Sequence, residues 1–473
     1  MTDTTTNRNT IPDGMPVPGR YWAILAIGLG IMVAVLDGSI ANVALPTIAS
    51  DLHTSSSKSI WVVNAYQLAI TVSLLSLSSI GEIWGYRRVY TWGLLLFVFT
   101  SLGCALSDSM LTLTTARTLQ GFGAAAITSV NTALIRIIYP ARSLSTGMGI
   151  NALVVAVSAA AGPTIAAGIL SVANWPWLFA VNIPVGLIAL FLSYKYLPDN
   201  PIKAVNRKFD IPSAIMNVFT FGLFIALIEG FTHKWGATLI ICVFIGFLVI
   251  GFVYIRRELK LKNPMFPVDL LRIPIFRLSI ATSIISFMAQ MLALVSLPFL
   301  LQRALGRDAV TTGLLLTPWP LTTMIFAPVA GALVKRINPG LLGGIGLTIF
   351  AFGLLLLGLM PARPTDIDII WRLAVCGCGF GLFQTPNNST IIASAPPTRS
   401  GGASGMLGTA RLLGQTTGAA LVALMFEAVP GNPTRYALLL ACVMAFAGAF
   451  VSMLRVHLHL TPTEKNTISE DTL

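Results

Sequence analysis

The sequence predicts an all-α membrane protein with fourteen transmembrane helices. Of its 473 residues, 55% are hydrophobic and only 10% are charged, whereas about 25% are charged in a typical soluble domain. Apolar runs of about 20 residues, long enough to cross a bilayer as helices, recur from Tyr21 almost to the C-terminus. Strands of transmembrane β-barrels alternate over about ten residues, so continuously apolar windows such as 341–359 exclude that class.

Glycine, proline and charged clusters separate the apolar runs and set the limits of each predicted span. The first eight spans cover residues 21–46, 58–80, 87–107, 109–136, 145–171, 175–196, 211–231 and 237–255. The remaining six cover residues 276–302, 310–334, 340–361, 369–393, 403–426 and 436–455. Residues 1–20 and 456–473 are predicted to be cytoplasmic tails, the first of them disordered.

The distribution of basic residues predicts the orientation of the chain. With the N-terminus inside, 21 Lys and Arg residues fall on the inner side and 7 on the outer side, with 2 more inside spans. Cytoplasmic loops carry such an excess, so both termini are predicted to be cytoplasmic. This bias accounts for the net charge of +12, and nucleic acid is not expected as a partner.

An internal repeat predicts two related six-helix halves. Spans 5 and 13 carry small residues at the same offsets, which are Gly149, Ser158 and Gly162 in one and Gly405, Gly414 and Gly418 in the other. The predicted organisation is an N-terminal bundle over 21–196, an inserted hairpin over 211–255 and a C-terminal bundle over 276–455. Secondary transporters use such repeats for alternating access around a midplane site.

Two acidic residues lie within the spans, Asp37 in span 1 and Glu229 near the outer end of span 7. A carboxylate in hydrocarbon costs about 2.5 to 3.5 kcal/mol on insertion scales, so it marks a candidate ion or proton pathway. At a rise of about 1.5 Å per residue, Asp37 and Arg117 of span 4 reach similar depths. We predict that they pair and that Asp37 carries a proton, with a static ion pair as the alternative. Glu229 is expected to be solvated, because His233 and Lys234 are near it.

Polar and aromatic residues at helical spacings of three and four share faces in three spans. These predicted cavity residues are Asn64 and Gln67 in span 2, Phe287, Gln290 and Met291 in span 9, and Phe380, Gln384, Asn387 and Asn388 in span 12. Met and aromatic side chains adapt to ligand shape and can hold cations. Hydrogen bonding and packing between helices explain the same pattern equally well. For Arg411 in span 13, the alternatives are a substrate anion and a structural partner such as helix-end carbonyls.

No cofactor site is predicted. The chain lacks the Gly-x-x-x-x-Gly-Lys-Ser/Thr loop that binds phosphate in ATP-driven proteins. Its five cysteines lie inside apolar runs, where neither disulfides nor metal sites are expected. We therefore expect a transporter driven by the proton gradient, with no enzyme activity.

Five stretches form an ordered series of motifs. They are Leu36 to Pro46 in span 1, Glu82, Gly85, Arg87 and Arg88 after span 2, Arg117 to Gly123 in span 4, Gly149 to Gly162 with Pro163 in span 5, and Trp175 to Gly186. The series resembles the major facilitator superfamily, and within it the fourteen-span drug:proton antiporters of the QacA/EmrB type. Glu82 stands where the family usually has Asp, and Ser158 replaces a Gly. The resemblance covers residues 20–456.

The resemblance implies two six-helix bundles that rock around a central cavity, with inward proton flow expelling a drug-like compound. Asp37 would be the proton-carrying carboxylate and Arg117 its partner. Glu82, Arg87 and Arg88 would form a latch between the halves at the inner face.

The same resemblance implies a monomer in a bacterial cytoplasmic membrane that exports lipophilic cations, dyes or quaternary ammonium compounds. The rival function is a proton symporter for an organic anion or a nutrient. The Gly162-Pro163 pair in span 5 favours export.

Overall fold

The computed structural model describes residues 14–140, 143–200, 209–232, 235–261, 264–334, 336–361, 363–396 and 400–458. Most of each predicted tail, residues 1–13 and 459–473, lies outside the described residues. Within the described ranges the chain forms helices joined by turns and loops, with no strand. The predicted all-α class is therefore confirmed.

The helices follow one another with short connections. The first group is α1 (Gly19–Asp51), α2 (Ser56–Ser59), α3 (Trp61–Trp84), α4 (Tyr86–Ala105), α5 (Met110–Ile138), α6 (Leu144–Val172), α7 (Trp177–Ala180) and α8 (Asn182–Tyr196). A hairpin of α9 (Ile211–Thr232) and α10 (Ala237–Glu258) comes next. The last group is α11 (Pro274–Phe299), α12 (Ala309–Leu316), α13 (Pro318–Leu333), α14 (Pro339–Gly358), α15 (Asp366–Ala393), α16 (Ser400–Ala428) and α17 (Pro433–Leu458). We call the first and last groups the two halves.

Twelve helical segments of the described chain are long and apolar enough to cross a membrane. Helices α15 and α16, with 28 and 29 residues, are not among the twelve. Polar residues interrupt their apolar runs. Helix α15 carries Asp366, Asp368 and Arg372 in its first turns, and α16 carries Arg411, Gln415, Thr416 and Thr417 near its middle. The prediction of fourteen spans is thus confirmed for twelve only. Helices α15 and α16 meet the length of a span, but their polar residues lower the mean hydropathy.

The same close helix pairs occur in both halves. Helix α1 packs on α6, and α11 packs on α16. A Cβ atom added at Gly162 of α6 would lie 2.5 Å from Ser39 Cβ, and one at Gly418 of α16 would lie 2.6 Å from the Met288 carbonyl oxygen. Such distances leave no room for a side chain, so small residues let the backbones approach closely. The repeat read from the sequence corresponds to equivalent helix contacts.

Gly162 and Gly149 lie in the same helix but in different surroundings. Gly162→Leu is expected to push α1 away from α6 and to destabilise the protein by about 1 to 3 kcal/mol, the usual effect of overpacking. Gly149→Leu is expected to leave stability unchanged, because no atom lies within 4 Å of its added Cβ. Thermal unfolding of the two purified variants measures both effects, and equal stability would contradict this packing account.

Hydrogen bonds join the two halves at one end of the bundle. We call this end, which contains residues 52–55, the first-loop face, and the opposite end, where α1 begins, the tail face. Gln302 donates to the Val43 carbonyl oxygen at 2.9 Å and accepts from Thr47 at 3.4 Å. These contacts hold the end of α1 against the end of α11.

Further contacts between the halves lie deeper in the bundle. Thr164 of α6 and Thr317, which links α12 to α13, are 2.7 Å apart at their hydroxyl oxygens. Thr71 of α3 and Thr416 of α16 are 3.1 Å apart. Among described residues with described partners, the hydrogen bonds between the halves thus run from the first-loop face to about mid-depth.

Candidate proton and substrate site

A buried ion pair joins α1 to α5. Arg117 is 0% exposed and Asp37 is 1% exposed, and a guanidinium N–H of Arg117 donates to the Asp37 carboxylate. The Nε of Arg117 also donates to the Val62 carbonyl oxygen at 2.9 Å. The structure therefore brings together the two residues whose depths match in the sequence.

Two amide side chains complete the surroundings of this carboxylate. Asn182, at the start of α8, donates to Asp37 Oδ1 at 2.7 Å. Gln120 donates to the same oxygen at 3.1 Å and accepts from Arg117 at 2.6 Å. The Gln120 amide also donates to Ser101 of α4 at 2.9 Å. Asp37 is thus held by side chains from α5 and α8, and α4 supports them.

Sequence reasoning missed both amides. Gln120 lies three residues after Arg117, which places it on the same helix face. Asn182 lies in the Trp175 to Gly186 stretch that was quoted as a motif without a role. The spacing from Arg117 could have found Gln120, whereas no comparable signal places Asn182 beside Asp37.

Aromatic rings cover the guanidinium of Arg117. Its Cζ lies 4.1 Å from the ring centroid of Tyr66 and 5.4 Å from that of Phe179. A desolvated cation–π contact contributes up to about 2 kcal/mol. Tyr66 is itself fixed by a 3.0 Å hydrogen bond to the Ala34 carbonyl oxygen. In this conformation the rings and α1 seal the ion pair from any bulky ligand.

The predicted cavity residues of α3 lie beside this network. Asn64 is 0% exposed, and its side-chain oxygen and nitrogen have no hydrogen-bond partner among the described residues. The side-chain oxygen of Gln67 is buried in the same way. An unpaired buried polar group costs about 1 to 3 kcal/mol. These buried amide atoms therefore form no hydrogen bond that would stabilise this conformation.

Most of the predicted cavity residues of the second half are packed in its interior. Phe287 and Phe380 are 2% and 1% exposed and meet edge to face at 5.4 Å between centroids. Met291 is 3% exposed, and Asn387 is fully buried and donates to Ser283 at 2.7 Å. The packing alternative describes these four residues in this conformation, and their role as cavity residues stays a prediction. Helical spacing shows which residues share a face, and here the face meets other helices.

Three of the predicted cavity residues are partly exposed. They are Gln290 on α11 and Gln384 and Asn388 on α15. Their role as cavity residues stays a prediction.

A second buried cation lies in α17. Arg455 is 1% exposed and donates to Asn387 at 2.7 Å and to Ser279 at 2.8 Å. It also donates to the hydroxyl of Ser452 at 2.5 Å. Neutral acceptors of α11, α15 and α17 thus satisfy Arg455 inside the second half.

Of the predicted latch residues Glu82, Arg87 and Arg88, Arg87 makes its described contacts within the first half. Gly85 has a φ of +108°, a backbone conformation that favours glycine. Arg87 donates to the Tyr194 carbonyl oxygen and lies 3.7 Å from the Asp199 carboxylate. Arg88 is exposed. Arg87 and Arg88 therefore do not hold the halves together in this conformation.

The neighbouring backbone is held by a further amide. Asn200 accepts from the Tyr86 amide N–H at 2.8 Å and donates to the Gly81 carbonyl oxygen at 3.2 Å. These bonds tie the turn between α3 and α4, next to Glu82, to the end of the first half.

Glu229 and Arg411 also differ from expectation. Glu229 is 4% exposed, so the expected solvated position is wrong, because its helix α9 packs on α10, α3 and α16. His233 and Lys234, on which that expectation rested, lie outside the described residues. Arg411 is partly exposed, and its Cζ lies 5.4 Å from the ring centroid of Phe287. No helix-end carbonyl accepts from it among the described residues.

Comparison with known proteins shows which family this sequence matches. The Major Facilitator Superfamily profile matches residues 27–419 and, in a second match, 278–471. The uncharacterized transporter YebQ of Escherichia coli K12 is 61% identical over 94% of this chain and 97% of its own. The riboflavin transporter RibZ of Clostridioides difficile is 30% identical over 86% and 88%. The multidrug resistance protein Stp of Mycobacterium tuberculosis is 32% identical over 84% and 74%.

Solved structures agree on the fold. A transporter of the POT family, crystallised in complex with a thioalcohol-conjugated peptide, superposes with a TM-score of 0.69 over 94% of this chain and 97% of its own. The two sequences are only 14% identical, so the likeness concerns the fold alone.

Proposed function

The chain belongs to the Major Facilitator Superfamily, and from this premise we propose that it is a proton-coupled antiporter that exports small amphipathic compounds. The observation that carries the proposal is the buried carboxylate of Asp37, which side chains of two other helices hold. Intramembrane carboxylates of this kind mark proton pathways. The multidrug resistance name of the relative Stp supports export.

Proton binding at Asp37 would change the packing of three helices at once. The neutral acid no longer balances the charge of Arg117, and loss of one partner of a buried ion pair costs about 3 to 5 kcal/mol. The hydrogen bonds from Gln120 and Asn182 also lose a charged acceptor and weaken. Protonation therefore favours a second arrangement of α1, α5 and α8, which is what coupling to alternating access requires.

Alternating access needs contacts that break and re-form at the two faces. The hydrogen bonds between the halves at the first-loop face close one side in this conformation. Arg87 binds its own half at the tail face and is free to exchange partners when that face closes. These contacts are those that a conformation closed at the first-loop face requires.

We further propose fourteen spans, with α15 and α16 crossing the membrane beside α11, and both termini in the cytoplasm of a bacterial cell. Each is long enough, since 28 residues of helix extend about 42 Å. Polar residues that face other helices lower the mean hydropathy of a span without exposing charge to lipid. The protein is proposed to act as a monomer in the cytoplasmic membrane.

Ser394→Cys and Gly431→Cys test this topology in a background without the five native cysteines. An impermeant maleimide is expected to label the residue-431 variant in intact cells and the residue-394 variant only in everted vesicles. The reason is that α16 would carry the chain from one side to the other. Labelling of both variants from the same side would contradict fourteen spans.

Transport into everted vesicles tests the function. The probes are ethidium, tetraphenylphosphonium and 2-naphthoate, and the driving force is an acidic lumen. An antiporter is expected to accumulate at least one probe until nigericin collapses the pH gradient. Accumulation that survives nigericin, or none with any probe, would contradict the proposal.

A proton symporter for an organic anion is the second candidate, because Arg411 is a cation without a carboxylate partner among the described residues. The riboflavin transporter name of RibZ is compatible with a nutrient. The two functions differ in the sign of the driving gradient. A symporter of the proposed orientation would fill everted vesicles only when the medium outside them is acidic.

A further inference from the structure

We infer that Arg411 binds the acidic group of the substrate, so that the transported compound is an organic monoanion with a carboxylate or sulfonate. This inference rests on the proposed transport function and names its substrate class. The resemblance implies cationic substrates, and a cation would need a carboxylate that it can reach. Asp37 is 1% exposed and already paired with Arg117, so it does not offer one in this conformation.

The position of Arg411 on α16 directs it between the halves. Arg411 is three residues from Gly408 and from Gly414, so at about 3.6 residues per turn it lies about 60° from each, between them. A Cβ at Gly408 would lie 3.3 Å from Leu74 of α3, and one at Gly414 would lie 2.4 Å from the Ile284 carbonyl oxygen of α11. Arg411 therefore lies on the face of α16 between its contact with α3 and its contact with α11.

Depth separates this cation from the membrane surface. Counted from Ser400, Arg411 lies about 16 Å along α16, and the hydrocarbon core is about 30 Å thick. A lipid phosphate at the interface does not reach this depth. The anion that neutralises Arg411 has to enter between the halves.

The contacts of Arg411 differ from those of the other two deep arginines. Arg117 pairs with a carboxylate, and Arg455 donates hydrogen bonds to neutral side chains. Arg411 has neither a carboxylate partner nor a hydrogen-bond acceptor among the described residues. Phe287 holds one side of its guanidinium and leaves the N–H groups unused. Five N–H donors in a fixed planar geometry match a carboxylate or sulfonate. Arg411 is thus oriented but unsatisfied.

The surroundings favour an anion over a cation. Asp37 is sealed and already neutralised by Arg117, so it offers no charge to a ligand. The contact of the Arg411 guanidinium is with the neutral ring of Phe287, at 5.4 Å from the ring centroid. The net charge facing a ligand at Arg411 is positive.

Three probes with one ring system isolate the charge of the ligand. They are 2-naphthoate, 2-naphthamide and (2-naphthylmethyl)trimethylammonium. Equilibrium dialysis against the purified full-length protein is expected to show the naphthoate bound at least about tenfold more tightly than the amide, as a charge-assisted pair predicts. The cation is expected to bind most weakly.

Four variants assign that preference to Arg411. Arg411→Gln is expected to abolish the preference for naphthoate, Arg411→Lys to keep most of it, and Arg411→Glu to reverse it toward the cation. Arg435→Gln, at an exposed position of α17, is the matched control and should bind as the wild type does. Monodisperse elution of each variant confirms that it is folded.

The outcomes separate this inference from the proposed function. Equal affinity of wild type and Arg411→Gln for naphthoate overturns the inference, as does preference of the wild type for the cation. Competition by chloride that removes the difference between 2-naphthoate and 2-naphthamide would assign the site to inorganic anions and would also overturn it. Arg411-dependent binding of naphthoate with no pH-driven transport would uphold the inference and contradict the antiport.

Discussion

Asp37→Asn is expected to abolish uptake driven by a pH gradient, down to the level of everted vesicles without the protein. The amide keeps the size of the side chain and one acceptor oxygen, but it cannot bind and release a proton. Uptake of the best-transported probe into vesicles with an acidic lumen measures the effect. Uptake at the wild-type rate would contradict the assigned role.

A second variant separates chemistry from folding. Asp37→Asn leaves the Arg117 charge buried and unpaired, which is expected to destabilise the protein by about 3 to 5 kcal/mol. The double variant Asp37→Asn/Arg117→Gln removes that charge and is expected to regain part of the lost stability while staying inactive. Recovery of both stability and uptake in the double variant would show that Asp37 is structural only.

Cross-linking the first-loop face is expected to stop transport completely and reversibly. Thr47 and Gln302 lie 3.4 Å apart at their side-chain oxygens, so Thr47→Cys/Gln302→Cys is within reach of a short bifunctional methanethiosulfonate. The link would hold α1 against α11 and prevent this face from opening. Uptake into everted vesicles before and after dithiothreitol measures the loss and its recovery.

The single-cysteine variants are the controls for this experiment. Thr47→Cys and Gln302→Cys alone are expected to keep transport after treatment, because neither can bridge the halves. Full activity of the linked double variant would mean that the first-loop face does not need to open, which contradicts alternating access.

The pairing of Asp37 with Arg117 could be predicted because depth along a straight helix depends only on residue count. The close contacts of Gly162 could be predicted because repeated small residues at matching offsets indicate equivalent helix pairs. Both inferences use geometry within a helix, which follows from the spacing of residues along the sequence.

One partner of the ion pair, Asn182, could not be predicted in the same way. Asn182 reaches Asp37 from α8, which follows α7 after a turn, so its depth and direction depend on tertiary packing. Arg455 lies at the end of its helix, and only the acceptors of neighbouring helices distinguish it from an interfacial charge. Phe380 and Asn387 share a helical pattern with cavity-lining residues, but that pattern does not say whether a face meets a ligand or another helix.

Proton movement during substrate transport tests the central claim most directly. Wild type and the Asp37→Asn/Arg117→Gln variant are reconstituted into liposomes that contain a lumenal pH dye, and the best-transported probe is added outside. The wild type is expected to change the lumenal pH in step with probe uptake, and the variant is expected to give no pH change. An equal pH change in the variant would contradict proton coupling through Asp37.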